Sequence, residues 1–149
     1  METGCEPPRI VAGMPMYNEE ETIGTVVTMA LRHVDEVICI DDGSSDSSAR
    51  IAEACGATVI RHRGNQGYGA ALKTLFKTMR SNDADILVVL DSDGQHDTSD
   101  IPKLIQPILD EEADFTIGSR FIEGGEGNDM PAYRRLGIKV ITAASNLTS

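Results

Sequence analysis

The chain has 149 residues, of which 40% are hydrophobic and 25% are charged, which is enough for one domain with a substantial core. Its formal net charge of −11 argues against nucleic acid and against an anionic membrane as partners, because both are bound through basic patches. The same charge implies that an anionic substrate would need a cation to bridge it to the protein.

Cysteine usage and hydropathy indicate where the protein works. Cys5, Cys39 and Cys55 lack the spacing of a metal site, and this usage favours a reducing, cytoplasmic compartment. We find neither an N-terminal signal pattern nor an apolar run near the roughly 18 residues that span a bilayer. Apolar residues recur at helical spacing up to Ser149 without a cap, so we expect a single domain over 1–149 that is truncated at its C-terminus.

The first half of the chain alternates strand and helix signals. An apolar run over 9–14, closed by Pro15, predicts the first strand. Asn18 as a cap and acidic residues at 19–21 predict the start of a helix whose apolar positions extend to residue 34. A strand over 36–40, a helix over 48–55 that Gly56 ends, and a short strand over 58–61 follow.

The second half continues this alternation. A glycine-containing loop over 64–69 leads into a helix over 70–80, and a strand over 86–90 comes next. Pro102 suits a first helical position, and Pro107 is expected to break or kink that helix. A fifth strand is predicted over 115–121, followed by a mobile loop over 123–129. Strands that alternate with helices predict a mostly parallel α/β sheet with right-handed crossovers.

The strand over 86–90 carries the strongest functional signal. Its five aliphatic residues predict a strand buried on both faces, and Asp91 and Asp93 follow at its carboxyl end, where open α/β sheets bind ligands. On extended backbone the two aspartates project to the same side, roughly 7 Å apart at Cα. With Gln95 next in this alternation, they suit Mg²⁺ or Mn²⁺ that also holds a substrate phosphate. A simple Asp-Ser-Asp-Gly turn is the alternative.

Polar clusters also follow the first two predicted strands. Tyr17-Asn18-Glu19 and Asp41-Asp42-Gly43-Ser44 would share one sheet edge with Asp91 and line a single cleft. Acidic side chains there suit ribose hydroxyls, base N–H donors and a metal ion. This combination describes a nucleotide whose diphosphate is held through a divalent cation. Helix capping explains the cluster after the second strand equally well, and first-turn electrostatics explains Glu19 equally well.

Five motifs, in order and over nearly the whole chain, resemble those of family 2 glycosyltransferases. They are Pro15-Met16-Tyr17-Asn18-Glu19-Glu20, Asp41-Asp42-Gly43-Ser44-Ser45-Asp46, Asn65-x-Gly67-x-Gly69, Asp91-Ser92-Asp93-Gly94-Gln95-His96-Asp97 and Gly118-Ser119-Arg120-Phe121. The most similar branch is that of the dolichyl- or polyprenyl-phosphate mannosyl- and glucosyltransferases. The resemblance implies a three-layer α/β sandwich with a mostly parallel central sheet, the Rossmann-like GT-A fold of nucleotide-diphospho-sugar transferases.

The resemblance also implies roles for individual residues. Nucleotide-sugar contacts would come from Pro15, Tyr17, Asn18, Glu19, Asp42, Gly69, Asp91 and Ser92, with Asp42 at the base. The metal and diphosphate would be held by Asp91, Asp93 and Gln95. Asp93 and Arg120 would be catalytic, and Arg120 would meet the acceptor phosphate together with Arg134 or Arg135. Ordinary solvated arginines are the alternative for these three.

The implied reaction is an inverting transfer of a hexose from GDP-mannose or UDP-glucose to a polyprenyl or dolichyl phosphate. A lipid-phosphate acceptor places the full-length protein at the membrane surface, as a cytoplasmic protein that is peripheral or tethered. A sugar-hydroxyl acceptor would instead need a carboxylate base, for which Asp97 is the nearest candidate. A donor-binding fragment without activity, a sugar-nucleotide pyrophosphorylase and a phosphate-accepting signalling domain are rival interpretations. The oligomeric state is open.

Overall fold

A computed structural model describes residues 7–118 of the chain, and the described residues up to 116 belong to one compact unit. Its four strands are β1 (Ile10–Met16), β2 (Glu36–Asp41), β3 (Thr58–Arg61) and β4 (Ile86–Val89). They form one sheet in the order β3-β2-β1-β4, and every neighbouring pair is parallel. The predicted α/β class with a parallel sheet is confirmed, while the extent of a single domain over 1–149 stays a prediction.

Four α-helices cover this sheet in two layers. They are α1 (Ile23–Ala30), α2 (Ser48–Ala54), α3 (Tyr68–Met79) and α4 (Ile101–Leu109), with a short 3-10 turn, Thr98–Asp100, before α4. One core cluster joins the sheet to α1, α2 and α4, and a second joins it to α3. The described unit is therefore a three-layer sandwich, as the sequence predicts. No described helix is long and apolar enough to cross a bilayer.

Close approach of α3 to the sheet depends on a glycine. A Cβ atom at Gly13 in β1 would lie 2.4 Å from Cδ2 of Leu75, which is fully buried. On the face of the sheet opposite α3, burial raises the pKa of the Cys39 thiol in β2 to about 12, and the charge of Asp41 adds to this shift. Cys39 is therefore a core residue, as its apolar surroundings in the sequence predict.

Strand β1 runs through Pro15 and Met16, so the prediction that Pro15 closes it is wrong. The pairing of β1 with β4 stops at Gly13, whereas its pairing with β2 continues through Met16 and Asp41. Because the hydrogen-bonding direction alternates along a strand, the missing N–H of Pro15 points towards the side where β4 has already ended. Proline therefore costs this strand no ladder hydrogen bond.

Helix α1 begins four residues later than the Asn18 cap predicts, with Thr22 as its N-cap and no acidic residue in its first turn. Asn18 instead takes a left-handed conformation with φ of 54°, and its side chain bonds to the loop after β2. The helix ends at Ala30, and residues 31–33 form turns rather than extending the helix to Val34.

Other predicted elements shift or fall outside the described residues. Strand β4 is buried mainly on one face, since Ile86 and Val88 are buried whereas Val89 is 39% exposed. Helix α4 passes through Pro107 without a break and ends two residues later. Residues 115–118 form no strand, and the rest of the predicted fifth strand and the loop over 123–129 lie outside the described residues.

Candidate functional site

A cleft of about 610 Å³ lies at the carboxyl ends of β1, β2 and β4. Small-molecule sites in proteins commonly have such volumes. Its described lining residues are Pro15, Met16, Tyr17, Glu19, Asp42, Asn65, Gly67, Tyr68, Ala71, Asp91, Ser92 and Asp93. Seven of the residues predicted to bind donor or metal are in this set, so the three polar strand ends line one cleft, while their roles in binding stay predictions.

The segment after β1 is attached to the segment after β2 by a series of hydrogen bonds. Backbone N–H groups of Asn18 and Glu19 donate to the hydroxyls of Ser44 and Ser48, at 2.9 and 2.7 Å. In return, Oδ1 of Asn18 accepts from the backbone N–H of Ser45 at 2.9 Å. These bonds orient Tyr17, whose ring is 46% exposed, and Glu19 towards the cleft.

Asp42 is almost fully buried and its carboxylate is already engaged. Oδ1 accepts from Nδ1 of His62 at 2.7 Å, Oδ2 accepts from the backbone N–H of Gly67 at 2.7 Å, and the N–H of Gln66 is shared between both oxygens. Burial alone would raise the pKa of Asp42, but these hydrogen bonds and the nearby imidazole hold it below its ordinary value. Asp42 thus fixes the loop before α3, and base recognition by Asp42 stays a prediction.

The aspartates after β4 stand at the opposite wall of the cleft. The phenolic O–H of Tyr68 donates to Oδ1 of Asp91 at 3.0 Å, and the backbone N–H of Gln95 donates to Oδ1 of Asp93 at 2.9 Å. The backbone N–H of Asp91 donates to Nδ1 of His96 at 3.2 Å, so His96 supports the turn as a loop residue. Burial raises the pKa of Tyr68, and the hydrogen bond and charge of Asp91 add to this shift.

Ser92 connects the two strands that flank the site. Its hydroxyl donates to the backbone carbonyl of Pro15 at 2.8 Å, and its own carbonyl accepts from the hydroxyl of Thr22 at 2.9 Å. The same Thr22 hydroxyl lies 3.1 Å from Oε2 of Glu19. Through these contacts the segment after β4 is held at a fixed position against the segment after β1.

Some predicted residues are not at the wall of the cleft. Asn18, Gly69 and Gln95 are exposed and are not among the lining residues. Their predicted roles in substrate or metal binding are therefore untested. Arg120, Arg134 and Arg135 lie outside the described residues.

The described lining of the cleft carries four acidic residues. Glu19, Asp42, Asp91 and Asp93 line it, and none of its described lining residues is basic. Within residues 7–118 no three His, Cys, Asp or Glu side chains are grouped so as to hold a metal ion alone. Mg²⁺ and its analogues, however, are often held by one or two carboxylates plus substrate phosphates. The pair Asp91 and Asp93 fits that arrangement.

Two residues of the site were not identified from the sequence. Tyr68 lies in the Asn65-x-Gly67-x-Gly69 motif, whose variable positions the motif itself does not define. His62 has no ligand spacing in the sequence, yet it contacts Asp42 through one ring nitrogen and the Thr74 hydroxyl through the other, at 2.9 Å. Its partner Thr74 is on α3, one face of which therefore approaches His62.

Comparison with known proteins places the chain in a family context. The family model described as Glycosyl transferase family 2 matches residues 12–146. A UDP-N-acetylglucosamine–dolichyl-phosphate N-acetylglucosaminyltransferase from Methanococcus voltae is 34% identical over 142 residues, covering 83% of this chain and 57% of that protein. A dolichol-phosphate mannosyltransferase from Pyrococcus furiosus is 34% identical over 131 residues, covering 83% of this chain and 36% of that protein.

Solved structures show the same fold. Glucosyl-3-phosphoglycerate synthase from Mycobacterium tuberculosis, in complex with Mn²⁺, UDP and glucosyl-3-phosphoglycerate, superposes with a TM-score of 0.57 at 31% identity. The match covers 68% of this chain and 40% of that one. The chain spans about half the length of the curated relatives that it matches.

Proposed function

Because the chain belongs to glycosyl transferase family 2, we propose that its cleft binds a nucleotide-diphosphate sugar and transfers the hexose, with inversion, to a polyprenyl or dolichyl phosphate. GDP-mannose and UDP-glucose are the donors that the sequence motifs suggest. A divalent cation, Mg²⁺ or Mn²⁺, is required for this reaction in our proposal.

The observation that carries the proposal is the convergence of four carboxylates on one cleft at the carboxyl edge of a parallel sheet. An uncompensated diphosphate would be repelled there, whereas a diphosphate that arrives with a divalent cation would be attracted. Ribose hydroxyls and base N–H groups are donors, and they find acceptors in Glu19 and in polar side chains such as Asn65. The cleft therefore suits all parts of a cation-bound nucleotide sugar.

In this proposal, different groups of residues in the cleft bind different parts of the substrate. Asp91 and Asp93 would hold the cation, which when bound supplies Lewis-acid stabilisation of the charge on the leaving diphosphate, worth several kcal/mol. Pro15, Tyr17 and Glu19 would hold the nucleotide. The loop fixed by Asp42 closes the side of the cleft next to α3 through Asn65 and Gly67. Acceptor binding is assigned to Arg120, with Arg134 or Arg135, as a prediction from the motifs alone.

A phosphate acceptor is favoured over a sugar hydroxyl by the state of Asp97. Its Oδ1 accepts from the backbone N–H of Ser99 at 2.9 Å, where it caps the short helical turn before α4. These hydrogen bonds from Ser99, helped by the charge of Lys103, hold the pKa of Asp97 below its ordinary value. A carboxylate that caps a helical turn is poorly placed to act as a general base, and a lipid phosphate that is already an anion needs none.

A transfer assay tests the proposal. Each radiolabelled donor is incubated with the protein and a polyprenyl phosphate, with Mg²⁺, with Mn²⁺ or with EDTA, and lipid-linked sugar is extracted. We expect product from one donor, only with the metal, and with the anomeric configuration inverted. Product formed equally in EDTA, or transfer with retention, would refute the metal or the stereochemical part of the proposal. Donor binding without any transfer would support the donor-binding fragment instead.

A further inference from the structure

The outer face of α3 has an unusual distribution of charge for so acidic a protein. Residues 54–82 contain five Lys or Arg residues and no Asp or Glu, although the chain has 24 acidic and 13 basic residues in total. The net charge of the whole chain therefore does not reveal that this segment is positively charged. This segment includes β3, the loop that Asp42 fixes, and all of α3.

Helical geometry gathers these cations on one side of α3. Ala71 and Leu75 face the sheet and are buried, whereas Lys73, Phe76, Lys77 and Arg80 are exposed. The exposed four have the spacing i, i+3, i+4 and i+7, so they form one stripe about 10 Å long on the opposite side of the helix. We call these four residues the basic stripe.

The basic stripe is not neutralised by the described part of the chain. The ion pairs found in residues 7–118 involve Arg9, Arg61, His62, His96 and Lys103, and none of them includes Lys73, Lys77 or Arg80. Within the stripe, the ring of Phe76 is 53% exposed between these cations. An exposed aromatic ring among unpaired cations on an amphipathic helix is typical of a surface that lies on anionic lipid.

We propose that the basic stripe of α3 docks on the anionic headgroups of a lipid bilayer. This inference rests on the proposed function, because a lipid-phosphate acceptor lies in a bilayer and the protein must approach that bilayer to reach it. Helix α3 starts at the cleft, which Tyr68 and Ala71 line, and the stripe begins two residues after Ala71. Docking through the stripe therefore brings the edge of the cleft close to the bilayer surface.

The overall negative charge does not oppose this docking at physiological ionic strength. Charges further away than about 8 Å are largely screened from one another under these conditions. The acidic residues that flank α4, such as Asp97, Asp100 and Asp110, adjoin a helix of the other layer, across the sheet from α3. Each cation at an anionic surface contributes about fivefold to partitioning, so three give roughly a hundredfold.

Vesicle sedimentation tests this surface directly. The protein is mixed with vesicles of phosphatidylcholine alone, or of phosphatidylcholine with phosphatidylglycerol, at increasing salt. We expect binding to the anionic vesicles that salt weakens, and no binding to the neutral ones. The variant Lys73→Gln/Lys77→Gln/Arg80→Gln is expected to bind about a hundredfold more weakly, and Phe76→Ala to reduce the binding that persists at high salt.

A matched variant removes three exposed cations from the other helical layer, Arg32→Gln/Arg50→Gln/Lys103→Gln. It is expected to bind vesicles as the unmodified chain does. Equal losses in the two triple variants, or no binding of the unmodified chain to anionic vesicles, would overturn the inference.

Failure of this inference and failure of the proposed function give different results. Donor binding is measured in solution without vesicles, on the unmodified chain and on both triple variants, and circular dichroism checks that each is folded. Donor binding without vesicle binding would contradict the docking surface alone. Vesicle binding through the stripe without donor binding would contradict the proposed function alone.

Discussion

Nδ1 of His62 lies 2.7 Å from Oδ1 of Asp42, and its Nε2 lies 2.9 Å from the hydroxyl of Thr74. Because Asp42 is ionised and only accepts hydrogen bonds, Nδ1 carries the proton in this contact. In the neutral ring Nε2 is then the acceptor, and the Thr74 hydroxyl donates to it. A chain of hydrogen bonds thus connects α3 to the carboxylate that fixes the loop at the cleft.

Removing the imidazole is expected to loosen this loop. His62→Ala should lower the free energy of unfolding by about 1–3 kcal/mol, because Asp42 loses a donor in a nearly buried position. Thr74→Val should cost less, and the two changes together should cost less than their sum, since both act through one chain of contacts. Urea denaturation of the two single variants and the double variant measures this coupling. Strict additivity would show that the two hydrogen bonds act independently.

Acid is expected to destabilise the protein partly through Asp42. The pKa of Asp42 in the folded protein is below its ordinary value of 3.8, so its contribution to stability is present above that pH. That contribution is lost as the pH falls through the lowered folded-state value. Asp42→Asn should therefore be less stable than the unmodified chain at neutral pH but lose less further stability below about pH 4. Parallel pH dependences of the two proteins, measured by thermal unfolding, would contradict this.

Asp93 is expected to be essential for metal-dependent donor binding. Asp93→Ala removes one of the two carboxylates that we propose to hold the cation, so donor binding at saturating Mn²⁺ should fall below detection in calorimetry. Asp97→Ala is the control, because it removes a nearby exposed carboxylate that caps a helical turn. It should bind donor normally. Donor binding of unmodified strength in Asp93→Ala would contradict the metal assignment.

Tyr68 is expected to support Asp91 without supporting the fold. Its ring is 56% exposed, so Tyr68→Phe should change the free energy of unfolding by less than about 0.5 kcal/mol. The lost hydrogen bond to Asp91 should nevertheless weaken Mn²⁺-dependent donor binding by about tenfold, the lower end for groups that orient metal ligands. Unchanged donor affinity would mean that the Tyr68–Asp91 bond has no part in cation binding.

Two glycines are expected to respond in opposite ways to alanine. Gly43 has a φ of 79°, and a Cβ there would lie 2.6 Å from the backbone of Gly64, so Gly43→Ala should cost at least about 1–3 kcal/mol. Gly69 lies in α3 with nothing within 4 Å of an added Cβ, so Gly69→Ala should stabilise by about 0.5–1 kcal/mol. Thermal unfolding measures both. Weaker donor binding in the stabilised Gly69→Ala would support its predicted substrate contact.

Elements whose signals are local were predictable from the sequence. Strand β3 has the predicted bounds Thr58–Arg61, because β-branched residues lie between Gly56 and a glycine-containing loop. The clustering of Glu19, Asp42 and Asp91 was also predictable, since parallel strands bring their carboxyl ends to one edge. The spacing of hydrophobic residues, with a period of two in strands and 3.6 in helices, and the rules of parallel sheets are sufficient to predict these features.

Features that depend on distant partners were not predictable. Asn18 suggests a helix cap, but its side chain bonds to Ser45, 27 residues away, and this contact delays the start of α1. Tyr68 meets Asp91 across 23 residues, and no spacing rule connects them. The exposure of Val89 depends on what packs on that face of β4, which a run of aliphatic residues does not reveal.

Calorimetric titration of the chain with UDP-glucose and with GDP-mannose, each in Mn²⁺ and in EDTA, tests the central claim most directly. We predict that one donor binds in Mn²⁺ and that EDTA abolishes this binding, because the acidic cleft needs a cation to hold a diphosphate. That result would also identify the base. Binding that is equally strong in EDTA, or no binding of either donor, would contradict the assignment of the cleft as a cation-dependent nucleotide-sugar site.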